Sequence, residues 1–150
     1  MFKKATISEA PQIYKLITLF AKRRLMLARS LNYIYERIRD FWVCKRGGEV
    51  IGCCALTIVG WQELAEIKSL AVKEKYQGRG IGTHLVKKAL EEAKSLGLKK
   101  VFVLTYEPKF FKRLSFKEID KEKLPHKIWA DCLNCPEFPD CKEIALIKKL

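Results

Sequence analysis

The sequence predicts a single α/β domain, a mixed central β-sheet flanked by helices. Three observations lead there. The chain has 150 residues, 49% of them apolar, which is enough for one core. Two strand-like runs, Phe41–Lys45 and Val50–Val59, are separated by Gly47-Gly48, a pair suited to a tight hairpin turn. A third run, Leu64–Val72, feeds a glycine-rich turn, a long helical pattern and a further strand. Hairpins beside a βαβ crossover make a mixed sheet.

The elements follow in order. Phe2–Thr6 is the first strand. Ser8 then reads as a helix N-cap, with Glu9 favourable in the first turn and Pro11 tolerated there. Ile13, Leu16, Ile17 and Phe20 recur at helical spacing, the mark of an amphipathic helix. Ser30 caps a second helix, whose inner face is Leu31, Ile34, Tyr35 and Ile38. The turn at residues 78–82 opens a helix to about Leu96, and Gly97 is placed as its C′ residue. Val101–Thr105 is a strand, Pro108–Leu114 a short helix, and Phe116–Ile119 and Ile144–Lys148 the last strands. The order is β-α-α-β-β-β-α-β-α-β-β. No repeat or linker interrupts it, so one domain spans residues 1–150, with the Cys-containing segment 124–142 embedded as a loop.

Thirty Lys and Arg against seventeen Asp and Glu leave a net charge of +13. Such a surplus attracts anions: nucleic acid, a phosphorylated cofactor or an acidic substrate. The charges are scattered in short runs such as Lys22-Arg23-Arg24 and Lys148-Lys149, so most read as a solvated surface. No apolar run reaches the ~20 residues of a membrane span, and no signal-peptide core follows the N-terminus. A cytoplasmic protein with no membrane partner is expected. Its thiols are then reduced, and Cys44, Cys53 and Cys54, in apolar strands, read as core residues.

The chemistry concentrates in Leu70-Ala71-Val72-Lys73-Glu74-Lys75-Tyr76-Gln77-Gly78-Arg79-Gly80-Ile81-Gly82-Thr83. Here a strand ends and a turn with three glycines opens a helix. Glycines let backbone N–H groups face a ligand, and the helix start adds further unpaired N–H groups and a positive dipole end. With Arg79 this forms a site for phosphate or pyrophosphate. A dinucleotide fold would need Gly where Thr83 stands, and a Walker loop would need Lys there.

Gln77-Gly78-Arg79-Gly80-Ile81-Gly82, after the strand Ser69-Leu70-Ala71-Val72, resembles the Q/R-x-x-G-x-G/A signature of the GNAT acetyltransferases. The element order fits as well, over nearly the whole chain. The resemblance implies acetyl-CoA as co-substrate. The backbone of Leu70, Ala71 and Val72 would bond its pantetheine arm, and Gln77, Gly78, Arg79, Gly80, Ile81, Gly82 and Thr83 would cradle the pyrophosphate. It also implies a backbone N–H near Leu70 at the acetyl oxygen. Pro108–Phe116 resembles the family's Y-x-x-x-G-F helix with two departures. Phe111 replaces a tyrosine that protonates the departing thiolate, and Ser115 replaces a glycine.

An amine nucleophile must lose its proton, directly or through water. Strand alternation puts Glu66, Lys68 and Leu70 on one face. Glu66 is the best carboxylate for the base; the alternative is a salt-bridged strand carboxylate. With no tyrosine at 111, Thr105 and Tyr106 are the nearest proton donors for the thiolate, and Tyr106 equally suits packing.

Leu25-Met26-Leu27-Ala28-Arg29-Ser30-Leu31, Gly52-Cys53-Cys54-Ala55-Leu56, Glu66-Ile67-Lys68-Ser69-Leu70-Ala71-Val72 and Phe102-Val103-Leu104-Thr105 narrow the resemblance. They are similar to the acetyltransferase domain of N-acetylglutamate synthases, in particular short stand-alone forms without a kinase domain. This implies an amino-acid acceptor, glutamate first, and a place in arginine biosynthesis. Arg29 and Ser30 would meet a substrate carboxylate, with Lys68 also facing the site; Arg pairs with carboxylates bidentately and Lys supplies a point charge. Otherwise Arg29 is a surface charge near a helix cap.

His126, Cys132, Cys135 and Cys141 contain one C-x-x-C pair but no second pair, so no metal site is assigned and zinc stays an option beside buried thiols or an adventitious disulfide. Trp42, Trp61, Trp129, Phe20, Tyr33 and Tyr35 read as packing residues, and His84 as exposed. Three rivals remain: a GNAT enzyme for another amine or a protein N-terminus, a non-catalytic acyl-CoA binder, and a nucleic-acid module. The last leaves residues 70–83 unexplained, so nucleic acid is not an expected partner. A homodimer is common in the family, and no sequence feature demands one.

Overall fold

The computed structural model describes residues 1–60, 63–124 and 142–150. Its strands are β1 (Phe2–Lys4), β2 (Phe41–Arg46), β3 (Glu49–Val59), β4 (Leu64–Val72), β5 (Lys100–Thr105), β6 (Lys117–Ile119) and β7 (Ile144–Lys149). Its helices are α1 (Ala10–Lys22), α2 (Leu31–Glu36), α3 (Ile81–Ser95) and α4 (Pro108–Lys112). The seven strands form one sheet in the order β1-β2-β3-β4-β5-β7-β6. Among the described strands only β4 and β5 run parallel; α3 is the crossover between them. The remaining pairs are antiparallel. The expected mixed sheet and element order are thus present.

Each face of the sheet has its own core. Helix α1 buries Ala10, Ile13, Leu16, Ile17 and Phe20 against Phe41, Val43, Cys53 and Ala55, joined by Ile34 of α2. Each fully buried aliphatic side chain there contributes about 2 kcal/mol. On the opposite face α3 packs Leu85, Val86, Ala89 and Ala93 against Cys54, Leu56, Ala65, Ile67 and Val103. Gly52 lets α3 approach, because a Cβ there would meet Leu85 at 3.1 Å and Ile81 at 3.2 Å. Cys44, Cys53 and Cys54 are buried free thiols, as expected.

The start of α1 differs from expectation. The first strand stops at Lys4, a 3-10 turn capped by Thr6 covers Ile7–Glu9, and the N-cap of α1 is Glu9, not Ser8. The reason is the carboxylate of Glu9, which folds back to accept the Thr6 backbone N–H at 2.8 Å. Lys3 and Lys45 donate to the same carboxylate at 2.8 and 2.9 Å. Charge-assisted bonds outcompete a serine cap. Ser30 does cap α2 as read, its hydroxyl accepting the Tyr33 N–H at 3.0 Å.

Candidate active site

The site begins with a break in β4. Ala55 stands opposite Lys68, but Cys53 stands opposite Ala71, so Cys54 faces two residues, Ser69 and Leu70. Ser69 adopts φ 54°, the left-handed conformation, and its carbonyl accepts the Cys53 thiol at 3.3 Å. This is a β-bulge. It corrects the simple alternation: Glu66 and Lys68 lie on the α1 face with Thr57 and Ala55, whereas Leu70 and Val72 pack on the α3 face.

β4 and β5 are paired only from Leu64–Glu66 to Lys100–Phe102. Beyond Glu66 they diverge, and a cleft of about 930 Å³ opens between them. Ile67, Lys68, Ser69 and Leu70 form one wall, and Val103, Leu104, Thr105 and Tyr106 the other. Phe20, Arg23, Leu25 and Met26 close it from the α1 side, and Phe110 and Phe111 from α4. Arg23 reaches over to ion-pair with Glu74 beyond the end of β4, and both residues line the cleft.

The glycine-rich loop lies at the mouth. Gly78 and Gly80 have φ 77° and 82°, and a Cβ on either would meet nothing within 4 Å, leaving the backbone open above the turn. Gly80 is the N-cap of the 15-residue helix α3, whose first N–H groups have no intrahelical partner. Gln77 is anchored to the strand end by its side-chain amide, which donates to the Val72 carbonyl at 2.8 Å. Gln77, Gly78, Gly80, Ile81, Gly82 and Thr83 line the cleft. Arg79 points along the outside, its guanidinium 5.4 Å from the Tyr76 ring centre.

The expected acceptor residues gather on the α1 face around Tyr33. Arg29 lies 4.7 Å, Arg37 4.3 Å and Lys68 5.5 Å from the centre of its ring. Among the described residues the buried Tyr33 hydroxyl has no hydrogen-bond partner. Lys68 also lines the cleft; Arg29 and Ser30 do not, and the Ser30 hydroxyl is committed to its cap. Asp40 is half-buried beside this cluster and accepts from Thr57 at 3.0 Å. Burial raises its carboxyl above the ordinary range, against the Thr57 bond and the charges of Lys4, Lys68 and Arg37.

Glu66, only 2% exposed, is the last β4 residue paired with β5. It sits at the vertex of the split, behind the lining. Thr105 lines the cleft and its hydroxyl oxygen accepts the Glu107 N–H at 2.8 Å, leaving its own O–H to donate elsewhere. Tyr106 lines the cleft and is 38% exposed. Phe111 is 3% exposed, stacked edge-on against Phe110 and Phe116, so its ring serves core and cleft wall together. The sequence reading gave no place to Arg23, which lines the cleft with Leu25 and Met26, or to Arg37, which lies against Tyr33. Tyr33 packs on the α1-side core, as read from the sequence, with the cations around its ring.

His126, Trp129, Cys132, Cys135 and Cys141 lie outside the described residues, as does Trp61. Among the described residues no cluster of His, Cys, Asp or Glu could hold a metal ion. No helix among them is long and apolar enough to cross a membrane.

A sheet split beside a glycine-rich loop and helix start can seat a phosphate-bearing ligand. The model of the acetyltransferase (GNAT) family matches residues 10–116, and the chain belongs to that family. An uncharacterised N-acetyltransferase of Chlorobaculum tepidum is 46% identical over 99% of this chain and 95% of its own length. An amino-acid acetyltransferase of Mycobacterium tuberculosis is 38% identical over 79% of this chain and 68% of its own. In fold, the chain is similar to N-acetylglutamate synthase from Neisseria gonorrhoeae, solved with coenzyme A and N-acetyl-glutamate. The TM-score is 0.90 at 24% identity, covering all of this chain and 35% of that one. The chain thus corresponds in fold to about a third of that protein's length.

Proposed function

We propose that the protein transfers the acetyl group of acetyl-CoA to the α-amino group of an acidic amino acid, glutamate first. The observation that carries the acceptor assignment is the triad of cations, Arg29, Arg37 and Lys68, around Tyr33 on one side of the split strand pair. Both carboxylates of glutamate suit such a pocket. Acetyl-CoA lies on the other side, its pantetheine arm along the backbone of Leu70, Ala71 and Val72 and its pyrophosphate over residues 77–83. The two substrates meet through the split.

The amine nitrogen attacks the acetyl carbonyl carbon, and a backbone N–H near Leu70 receives the developing oxyanion. Glu66, at the vertex, takes the amine proton through water. The C–S bond then breaks and the thiolate collects a proton from Thr105 or Tyr106, since Phe111 has none to give. Burial of Glu66 favours this relay over direct contact. A place in arginine biosynthesis and a cytoplasmic setting accompany the glutamate reading.

The test is steady-state kinetics of thiol release across a panel of amino acids and polyamines. Glutamate should be the best acceptor, and Arg29→Ala or Lys68→Ala should raise its KM roughly ten- to a hundredfold. Glu66→Gln should lower kcat about a hundredfold. A neutral amino acid or polyamine as best acceptor would overturn the acidic assignment while leaving the enzyme class.

A further inference from the structure

A second tyrosine also gathers three cations, and none of the acceptor chemistry uses it. Tyr76 is half-buried, packed on the α3-side core at the rim of the cleft. Lys75 Nζ lies 5.2 Å from its ring centre, the Arg79 guanidinium 5.4 Å and the Arg46 guanidinium 5.6 Å. Arg46 comes from the tip of the β2–β3 hairpin, far away in sequence. The hairpin is tied to the loop by the Lys73 N–H donating to the Ile51 carbonyl at 2.9 Å and by the Lys73–Glu49 ion pair at 2.8 Å.

Nearby carboxylates leave the three without an ion pair, although the charge of Lys75 also reaches Glu49. Glu74 is paired with Arg23 and Glu49 with Lys73. Among the described residues, Arg46, Lys75 and Arg79 make no ion pair with a carboxylate. Attraction to the ring face holds three like charges together, and their repulsion is relieved when an anion enters. All three side chains are exposed and can turn toward one.

We propose that Arg46, Lys75 and Arg79 around Tyr76 form a subsite for a phosphate monoester, the 3′-phosphate of the CoA ribose. The inference rests on the acetyl-CoA reading above. Backbone N–H groups of the glycine-rich loop suffice for the pyrophosphate. The monoester, carrying close to two charges at neutral pH, has no such backbone cradle and calls for side-chain cations. The subsite makes the protein discriminate CoA from dephospho-CoA.

The experiment is calorimetric titration of CoA and dephospho-CoA into the wild-type protein and Arg46→Ala/Lys75→Ala. The wild type should bind CoA about tenfold or more tightly than dephospho-CoA. The double variant should bind the two nearly equally, with its dephospho-CoA affinity unchanged; that unchanged affinity also reports a folded site. Equal wild-type affinities, or a preference that survives in the double variant, would overturn the subsite. If neither compound binds the wild type, the acetyl-CoA reading itself fails.

Discussion

Lys68 and Leu70 are two residues apart on one strand yet face opposite sides of the sheet, because Ser69 between them sits at φ 54°. Strict alternation would place both on one side. The bulge gives β4 two working faces: Lys68 faces the cations around Tyr33, and Leu70 turns toward the α3 side of the cleft.

The bulge is therefore expected to be sensitive to the residue at its centre. Ser69→Gly should retain CoA binding and near-wild-type stability, since glycine adopts positive φ without a Cβ penalty. Ser69→Val should lose about 2 kcal/mol in chemical denaturation and weaken CoA binding, as β-branched residues resist this conformation. Equal behaviour of the two variants would count against a functional bulge.

A related strain lies after α4. Ser115 has φ 70°, the left-handed region that favours glycine. Ser115→Gly should stabilise the protein by about 1 kcal/mol, raising Tm by roughly 2–4 °C. Calorimetric melting of the two proteins checks this, and a lower Tm in the variant would contradict it.

Glu9 makes stability depend on acid. Burial works to raise its carboxyl, but the bonds from Lys3, Lys45 and the Thr6 N–H outweigh it and hold it at about 2 rather than 4.5. A carboxyl depressed in the folded state contributes its stability above the unfolded value and loses it as pH falls toward the folded one. The contribution is about 3 kcal/mol at neutral pH, disappearing between about pH 4.5 and 2. Glu9→Gln should flatten that limb of a plot of stability against pH and lower stability at pH 7. An unchanged acid limb would show that other carboxylates govern it.

Much of this was legible in the residues, for identifiable reasons. Leu64–Val72 is mostly apolar and lies between the turn at Gly60 and the glycine-rich loop at 78–82, so its bounds could be read directly, and the loop motif showed which helix follows. The cap at Thr6 could not be read, because it depends on Lys45, remote in sequence, converging on Glu9. The bulge was hidden for a similar reason: nothing in Lys68-Ser69-Leu70 marks a serine with positive φ, which arises from the pairing with β3. The approach of Arg37 to Tyr33 could not be read, because a cation stacked on a ring leaves no spacing motif when a third partner, Lys68, comes from a strand.

The most direct test of the central claim is product analysis by mass spectrometry after incubating the protein with acetyl-CoA and glutamate. The account predicts N-acetylglutamate and free CoA in equal amounts, with both greatly reduced in the Arg29→Ala protein. Intact acetyl-CoA in the presence of glutamate and every other amino acid would contradict it.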